Sequence, residues 1–422
     1  MQYFKINGKS RLGGEIDVHG AKNSVLPILA GAVLIRGTSV IHNCPDLSDV
    51  RATINILRHL GANVNKEGST LIADTTVINQ NSIPEEMMQE LRSSIIFLGA
   101  LSSRTGSACL FFPGGCDIGL RPIDLHIKAL ERLGYELSFD GRNICCENKT
   151  ACGHRIVFPL ESVGATENAI LASVFLKGKT TIINAAREPE IEDLASFLNS
   201  AGADIKGAST SVIEINGVSS LESTEYTVIP DRIEASTFMS AAAITGSDIL
   251  INNVNHIHLS PVVPQFYEMG CAIYAQKNSL RIKAPERLKR VKLIQTRAYP
   301  GFPTDSQAVL MAALTSAKGS SVIEENIFEN RFKHVPELIK FGADISIQSK
   351  IALVHGVDYL HGAAAQCTDL RSGAALVIEA LRAEGESTIT KIEHIDRGYE
   401  KIENSLSLLG ADIKRIQDEK GR

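Results

Sequence analysis

The chain has 422 residues, of which 44% are hydrophobic and 22% are charged, and its formal net charge is -5. Because a domain typically holds about 100–200 residues, this length predicts at least two domains of an ordinary globular protein. The small net charge, without a long run of Lys or Arg, argues against a nucleic-acid partner. The longest nearly apolar run, residues 24–35, is broken by Pro27 and Gly31 and is too short to span a bilayer, so we expect no membrane partner.

Residues 1–20 lack the apolar segment of a secretory signal, so we expect a cytoplasmic protein. Eight cysteines are scattered along the chain without C-x-x-C spacing. This pattern favours reduced thiols over disulfides or a zinc site.

After predicted strands at 3–8 and 14–20, an internal repeat begins. Six amphipathic helices each end in a glycine that we expect to adopt the left-handed conformation before a strand. These glycines stand at 61, 134, 202, 270, 342 and 410. A second set of glycines recurs with similar spacing, at 37, 106, 178, 246, 319 and 385. Before each of these glycines lies a helix-length stretch that is apolar nearly all round. Such helices are buried.

Each repeat therefore predicts an inner apolar helix, a strand, an outer amphipathic helix and a strand or strand pair. The sixth repeat lacks its second strand, and the predicted strand at 3–8 would supply it. With three repeats per domain, we expect a first domain at 22–229, which carries Cys116. The second domain would then combine 1–21 with 230–422.

Six residues stand fourteen positions before the second set of glycines, where the inner helices should begin. They are Asn23, Arg92, Gly164, Arg232, Asp305 and Arg371. Free N–H groups and the helix dipole favour anions at such positions. Helix capping explains Asn23 and Asp305 equally well. A cation is disfavoured there, so the three arginines predict either partner carboxylates or a bound anion.

Cys116 lies in the segment FFPGGCDIGLRPID, residues 111–124. Proline and paired glycines exclude a stable helix or a central strand, so this segment is predicted to be a loop. Arg121 would favour the thiolate, whereas Asp117 would oppose it. The thiol could therefore serve as a general acid, as a nucleophile, or as an ordinary surface group.

Charged side chains in turn-like settings suggest chemistry on an anion. Asp305, in YPGFPTDSQA, could take a proton from a substrate hydroxyl. Arg331, Arg371, Arg397 and Lys22 together resemble a clamp for a polyanion, although each alone could be a solvated or paired charge. His126 and His394 are expected to be structural. Neither a G-x-x-x-x-G-K-[ST] loop nor a G-x-G-x-x-G turn is present, which argues against ATP and nicotinamide chemistry.

From about residue 2 to residue 416 the chain resembles the UDP-N-acetylglucosamine 1-carboxyvinyltransferases, a family of enolpyruvyl transferases. The motifs, in the order of that family, are GAKNSVLPILA, PGGCDIGLRPID, SVGATEN, NAAREPEI, PDRIEASTF, GFPTDSQA, FENRFKHVPEL, TDLRSGAALV and HIDRGYE. The resemblance implies an α/β fold of two domains with six βαβαββ repeats, three per domain around buried helices, and ligands between the domains. It also implies transfer of enolpyruvyl from phosphoenolpyruvate to UDP-N-acetylglucosamine, the first committed step of peptidoglycan synthesis, without a metal or organic cofactor.

The resemblance further assigns roles to residues. Cys116 and Asp305 resemble the catalytic acid and base, and Cys116 resembles the cysteine that forms an adduct with phosphoenolpyruvate and is alkylated by fosfomycin. The residues that resemble phosphoenolpyruvate contacts are Lys22, Asn23, Arg121 and Arg397. Those that resemble UDP-N-acetylglucosamine contacts are Arg92, Arg121, Pro122, Ile123, Asp124, Leu125, Ser162, Val163, Gly164, Asp305 and Ile327. Arg331 and Arg371 would be supporting cations.

Three other functions compete with this one. The sister enzyme acts on shikimate 3-phosphate with the same fold, but PGGCDIGLRPIDLH and SVGATEN favour the nucleotide-sugar enzyme. A non-catalytic binder of the nucleotide sugar would not need Lys22, Cys116, Asp305 and Arg397. An RNA-terminus-processing enzyme is disfavoured because the chain lacks a basic stripe and a histidine nucleophile context.

Overall fold

The computed structural model describes residues 2–112 and 123–417, except for the side chain of Arg92. Cys116, Arg121 and Pro122 lie outside the described residues, so the roles expected of them stay predictions.

The strands and helices alternate along the described chain. The strands are β1 (Gln2–Asn7), β2 (Glu15–Asp17), β3 (Thr38–His42), β4 (Asn63–Glu67), β5 (Thr70–Asp74), β6 (Ser82–Ile83), β7 (Ser107–Phe111), β8 (Glu136–Asp140), β9 (Asn143–Glu147), β10 (Arg155–Val157), β11 (Lys179–Ile183), β12 (Asp204–Lys206), β13 (Val212–Asn216), β14 (Thr224–Thr227), β15 (Asp248–Asn252), β16 (Ala272–Ala275), β17 (Ser279–Lys283), β18 (Leu293–Gln295), β19 (Ser320–Glu324), β20 (Asp344–Gln348), β21 (Ile351–His355), β22 (Ala364–Gln366), β23 (Glu386–Thr390) and β24 (Asp412–Gln417).

The α-helices are α1 (Lys22–Ala32), α2 (Ser48–His59), α3 (Glu85–Glu90), α4 (Phe97–Thr105), α5 (Asp124–Leu133), α6 (Val163–Ser173), α7 (Pro189–Ser200), α8 (Arg232–Ile244), α9 (Val263–Glu268), α10 (Thr304–Leu314), α11 (Val335–Ile339), α12 (Leu370–Arg382) and α13 (Ile402–Leu408). Short 3₁₀ helices cover Arg92–Ile96, His256–Leu259 and Ile392–Arg397.

Within the described residues the strands form six four-stranded sheets of one design. Their orders are β14-β3-β5-β4, β6-β7-β9-β8, β10-β11-β13-β12, β16-β17-β15-β2, β18-β19-β21-β20 and β22-β23-β1-β24. In each sheet a short edge strand runs parallel to its neighbour, and the other pairs are antiparallel. This arrangement confirms the predicted α/β fold of six βαβαββ repeats.

The chain divides into two compact units. One holds residues 2–19 and 230–417 of the described chain, and the other holds 20–112 and 123–229. Each unit has its own hydrophobic core, built around three inner helices: α8, α10 and α12 in the first, and α1, α4 and α6 in the second. Strand β1 lies between β23 and β24, so it completes the sheet of the last repeat.

The glycines of the first repeated phrase end helices as predicted. Gly61, Gly134, Gly202, Gly270, Gly342 and Gly410 all have φ between +89° and +107°. Only glycine adopts this conformation without strain, which is why the phrase recurs. The inner helices are also as buried as predicted, and in α8 every residue is buried. In the part of the chain that the structure describes, every helix is too short or too polar to cross a membrane.

The expectation of reduced thiols is wrong for one pair of cysteines. Cys109 on β7 and Cys145 on β9 form a disulfide. The antiparallel register sets these residues directly opposite one another, a relation that their separation of 36 residues does not reveal. The other cysteines of the described chain are free, and Cys152 among them is exposed.

Candidate functional site

All six residues predicted to open the inner helices do so. Arg232 is the first residue of α8, Arg92 begins a 3₁₀ helix ahead of α4, and the others are second residues of their helices: Asn23, Gly164, Asp305 and Arg371. Capping does not explain Asn23 or Asp305, because the N-cap residues of α1 and α10 are Ala21 and Pro303. That alternative is therefore wrong for both.

Asp305 lies between two guanidinium groups. Its Oδ1 accepts a hydrogen bond of 2.8 Å from Nη2 of Arg331, and its Oδ2 accepts one of 3.5 Å from Nη2 of Arg371. Both arginines are buried, whereas the Asp305 side chain is 29% exposed. The cations hold the carboxylate in a fixed direction, and its side chain remains partly exposed to solvent. For Arg371, the partner-carboxylate explanation of a cation at a helix start is thus correct.

A second layer of contacts fixes Arg371. Its Nη1 donates to the hydroxyl of Tyr399 over 3.3 Å, and the guanidinium carbon lies 5.8 Å from the centre of the Tyr399 ring. The Tyr399 hydroxyl also bonds that of Thr237 on α8, at 2.9 Å. Burial acts to lower the pKa of Arg371, but Asp305, Tyr399 and Asp231 together outweigh it and raise that pKa. Sequence reasoning missed Tyr399, although it stands two residues after Arg397 in the motif HIDRGYE.

The start of α8 carries another buried cation. The Arg232 guanidinium lies 5.7 Å from the centre of the Tyr299 ring. Burial and the positive charge of Arg232 lower the pKa of His258 to about 4, so that imidazole is neutral at pH 7. Asp231 caps α8 by accepting from the backbone N–H groups of Ile233 and Glu234. A cation is thus tolerated at this helix start because a carboxylate precedes it.

In the unit of residues 20–112 and 123–229, Lys22 is the first residue of α1 and is nearly buried. Its Nζ lies 2.6 Å from Oδ2 of Asp49 on α2. Asn23 follows it, partly exposed. An ammonium group held by one carboxylate at a helix start is well suited to bind an anion.

The residues expected to contact the uridine diphosphate group lie at the starts of α5 and α6. Ser162 caps α6 by accepting from the backbone N–H of Ala165 at 3.4 Å, and Val163 and Gly164 follow it in the first turn. A Cβ on Gly164 would lie 3.1 Å from the His126 ring, so this close approach of α5 and α6 requires glycine. His126 bonds Asn168 at 3.1 Å, in the structural role predicted for it.

Five further residues expected at the site lie at or near the ends of helices and strands. Ile123 precedes α5, whose first two residues are Asp124 and Leu125. Arg397 ends the 3₁₀ helix Ile392–Arg397. Ile327 lies in the turn after β19 and is 40% exposed.

A carboxyl group inside α6 contrasts with Asp305. Glu167 is buried, and its pKa is raised to about 8, first by burial and then by the nearby charges of Glu190 and Glu188. It therefore carries a proton at neutral pH.

Comparisons with known proteins agree with this geometry. A family model described as EPSP synthase (3-phosphoshikimate 1-carboxyvinyltransferase) matches residues 6–406. The UDP-N-acetylglucosamine 1-carboxyvinyltransferase 2 of Caldanaerobacter subterraneus subsp. tengcongensis is 48% identical over 416 residues, covering 99% of this chain and 100% of the relative. The UDP-N-acetylglucosamine 1-carboxyvinyltransferase of Myxococcus xanthus is 45% identical over 418 residues, covering 98% and 99%.

Two solved structures resemble the chain over nearly its whole length. The enolpyruvyl transferase NikO from Streptomyces tendae has a TM-score of 0.88 at 24% identity and covers 99% of each chain. The EPSP synthase of Acinetobacter baumannii has a TM-score of 0.76 at 18% identity, covering 99% of this chain and 100% of its own. At these identities the two structures show the fold alone.

Proposed function

The chain belongs to the family of UDP-N-acetylglucosamine 1-carboxyvinyltransferases, and we propose a reaction for it on that basis. In this reaction the enolpyruvyl group of phosphoenolpyruvate is transferred to the 3-hydroxyl of UDP-N-acetylglucosamine. The observation that carries this proposal is the 45–48% identity with relatives of that name over 98–99% of the chain. The products are the 3-O-enolpyruvyl ether and inorganic phosphate. The reaction, EC 2.5.1.7, commits the sugar nucleotide to peptidoglycan synthesis.

Asp305 is proposed as the base that takes the proton of the sugar 3-hydroxyl. Its carboxylate is oriented by Arg331 and Arg371 and remains partly exposed. A general base needs both properties, because it must reach the substrate proton in a defined direction. After Asp305 has taken the proton, both guanidinium groups still lie beside its carboxyl group. They stabilise the carboxylate that forms again when Asp305 releases the proton.

Cys116 is proposed as the acid that protonates the methylene carbon of phosphoenolpyruvate. The sugar oxygen then bonds to the neighbouring carbon, which gives a tetrahedral ketal. Loss of a proton from the new methyl group and departure of phosphate restore the carbon–carbon double bond, so atoms and charge balance. When the sugar oxygen does not attack, the thiolate left by this proton transfer bonds to the same carbon, and that covalent adduct is the one expected from the family resemblance.

The remaining proposed contacts bind negative charge. Phosphoenolpyruvate carries about three negative charges near neutral pH, so removing it from water requires cations held in advance. We assign this role to Lys22, Arg121 and Arg397, with Asn23 beside them. The helix starts at Arg92, at Asp124 and Leu125, and at Ser162 to Gly164 would receive the uridine diphosphate group. The backbone near Ile327 would hold the sugar.

A cytoplasmic location is also proposed. The role of Cys116 requires a reduced thiol, and reduced thiols persist in the cytoplasm. The Cys109–Cys145 disulfide is the observation that opposes this location, because disulfides are rare in that compartment.

The test is phosphate release from phosphoenolpyruvate with each of two acceptors. We expect turnover with UDP-N-acetylglucosamine and background release with shikimate 3-phosphate. The description of the matching family model makes the second acceptor the appropriate rival. Turnover with shikimate 3-phosphate alone would contradict the proposal.

A further inference from the structure

Three of the repeats use one asparagine to link two strand ends. In each, the asparagine follows the strand that pairs with the short parallel edge strand, and it has a left-handed backbone. Its side-chain amide donates to the carbonyl of the residue that follows the edge strand. The links are Asn43 to Val228 at 3.0 Å, Asn184 to Phe158 at 3.1 Å and Asn253 to Val18 at 2.6 Å. This bond is part of the scaffold of the fold.

The repeat that contains Asp305 departs from this pattern. The residue after β19 is Glu325, and the residue after the edge strand β18 is Thr296. One backbone hydrogen bond shows that Glu325 and Thr296 occupy the same positions as the asparagines and their acceptor residues. In this bond the N–H of Thr296 donates to the carbonyl of Glu324, the residue before Glu325, at 3.0 Å. The corresponding backbone bond recurs in the other three repeats at 3.0–3.1 Å. A carboxylate therefore stands where three other repeats use an amide, and the remaining two have Phe112 and Lys391 at this point.

Glu325 reaches much further than those asparagines. It is 3% exposed, and its Oε1 accepts from the Thr296 hydroxyl at 2.8 Å. The same oxygen accepts from the backbone N–H groups of Ile327 at 2.8 Å and Phe328 at 3.2 Å. Its Oε2 accepts from the hydroxyl of Thr304 at 2.9 Å. One buried carboxylate thus joins the start of α10 to the turn after β19.

Both ends of this connection are parts of the proposed site. Thr304 directly precedes Asp305, and its carbonyl accepts from Nη2 of Arg331 at 3.2 Å. The turn carries Ile327, whose backbone is assigned to the sugar. A buried carboxylate with four hydrogen-bond donors fixes their relative positions more firmly than an amide could, since bonds to a charged acceptor are the stronger ones.

We propose that Glu325 is a positioning residue that sets the proposed base, Asp305, against the turn that binds the acceptor sugar. The proposal rests on the proposed function. Reacting groups that move by about 1 Å can lose about a hundredfold in rate, so loss of this connection should impair turnover without any change in the groups that contact substrate.

The decisive variant is Glu325→Asn, which gives this repeat the residue that three others have. Asparagine is smaller than glutamate and its side-chain oxygen can still accept from the backbone N–H two residues on, so we expect the variant to fold with a thermal midpoint near that of the wild type. The asparagine side chain is too short to bond both the Thr304 hydroxyl and the backbone N–H groups of the turn. We expect KM for UDP-N-acetylglucosamine to rise and kcat to fall, each about tenfold.

Glu325→Gln provides the conservative rescue. It retains the length of the side chain, an acceptor oxygen for the turn, and an NH₂ group that can donate to the Thr304 hydroxyl. We expect its constants to lie within about threefold of those of the wild type. Glu324→Gln is the matched control, because Glu324 pairs with Lys350 at 2.8 Å on the other face of the strand. It should leave both constants unchanged.

Thr304→Val separates the two ends of the connection. It removes one hydroxyl and leaves the bonds from Glu325 to the turn. We expect kcat to fall about fivefold while KM for the sugar nucleotide stays near the wild-type value.

Steady-state phosphate release and calorimetric binding of UDP-N-acetylglucosamine give the readouts. The proposal is overturned if Glu325→Asn matches Glu324→Gln in both constants. It is also overturned if kcat falls only in proportion to the folded fraction while KM is unchanged, since that marks a purely structural role. A wild-type protein that binds the nucleotide without turnover contradicts the proposed function, and the binding series still decides the role of Glu325. A wild-type protein that does not bind it overturns both.

Discussion

Two carboxyl groups near the starts of inner helices, one in each unit, have opposite surroundings. Asp305 on α10 lies between the guanidinium groups of Arg331 and Arg371. Glu167 on α6 has Glu190 and Glu188 as its charged neighbours, and its pKa rises to about 8. The same repeat therefore supports a carboxylate held ready by cations in one unit and a protonated carboxylic acid in the other.

The repeat therefore fixes where a side chain lies, but it does not fix whether that side chain is charged. The charge is set by residues that other elements bring to the helix start, such as Arg331 from the segment before α11. Burial alone neutralises a carboxyl group, whereas burial beside a cation keeps it ionised. Five substitutions, one of them made only in a double variant, test whether the two units differ in this way.

The largest effect is expected from Asp305→Asn. The amide can still accept a hydrogen bond from Arg331 but cannot take a proton from the sugar hydroxyl, so kcat should fall about a thousandfold. The thermal midpoint should fall, because the buried Arg331 and Arg371 lose the charge of their carboxylate partner, so kcat is compared at a temperature at which the variant is folded. Asp344→Asn, at an exposed position of the same unit, is the control and should retain full phosphate release. A turnover above one tenth of the wild-type value would exclude Asp305 as the base.

Lys22→Met should remove both stability and activity. It leaves the carboxylate of Asp49, whose side chain is 5% exposed, without its ammonium partner. Breaking a buried ion pair in this way costs about 4 kcal/mol in the free energy of unfolding, measured by urea titration.

The double variant Lys22→Met with Asp49→Asn separates the two roles of Lys22. Removing both charges should restore most of the stability, since no lone charge stays buried. Phosphate release should stay lost, because the proposed contact to phosphoenolpyruvate is absent. Recovery of activity together with stability would show that Lys22 is structural.

Glu167→Gln should stabilise the protein in a pH-dependent manner. The folded pKa of Glu167, about 8, lies above its ordinary value of 4.5, so the folded state binds the extra proton between these limits. The wild type therefore loses stability as pH rises from 4.5 through 8, and Gln does not. At pH 9 we expect the variant to be about 5 kcal/mol more stable than the wild type, and at pH 4 about equal to it. Equal stability of the two proteins across the range would rule out a buried acid. Glu131→Gln, exposed on α5, is the control.

Tyr399→Phe should have the smallest effect. It removes an acceptor from Arg371, so we expect a loss of about 1 kcal/mol in the free energy of unfolding and a several-fold fall in kcat. Tyr135→Phe is the matched variant in the other unit, where the buried hydroxyl donates to the carbonyl of Ala172 at 2.8 Å. It should cost similar stability and leave kcat unchanged. Equal kcat values in both variants would mean that Arg371 does not depend on Tyr399.

Much of the fold was predictable from local sequence. Each helix-ending glycine needs a positive φ, so LGA or FGA at the end of an amphipathic stretch, as at 60–62 and 341–343, marks the end of a helix. The pattern around the phrase is needed as well, because LGA at 98–100 lies inside α4. The apolar inner helices follow from composition in the same way. The positions of Asn23, Arg92, Gly164, Arg232, Asp305 and Arg371 at helix starts follow from counting back within the repeat.

The contacts at the site were less accessible to sequence reasoning. Arg331 and Arg371 meet Asp305 across 26 and 66 residues of chain, and only tertiary packing brings them together. The disulfide of Cys109 and Cys145 was missed because strand register sets it. Glu325 carried a signal that was overlooked, since it stands at a point of the repeat where three other repeats have asparagine, at 43, 184 and 253.

The central claim is the transfer of an enolpyruvyl group to one hydroxyl of a nucleotide sugar. The most direct measurement is the structure of the product formed by the wild-type protein from phosphoenolpyruvate and UDP-N-acetylglucosamine, by mass spectrometry and carbon NMR. The proposed reaction gives an enolpyruvyl ether on O3 of the sugar, formed in an amount equal to that of phosphate. Phosphate without that ether, or an ether on another oxygen, would contradict it.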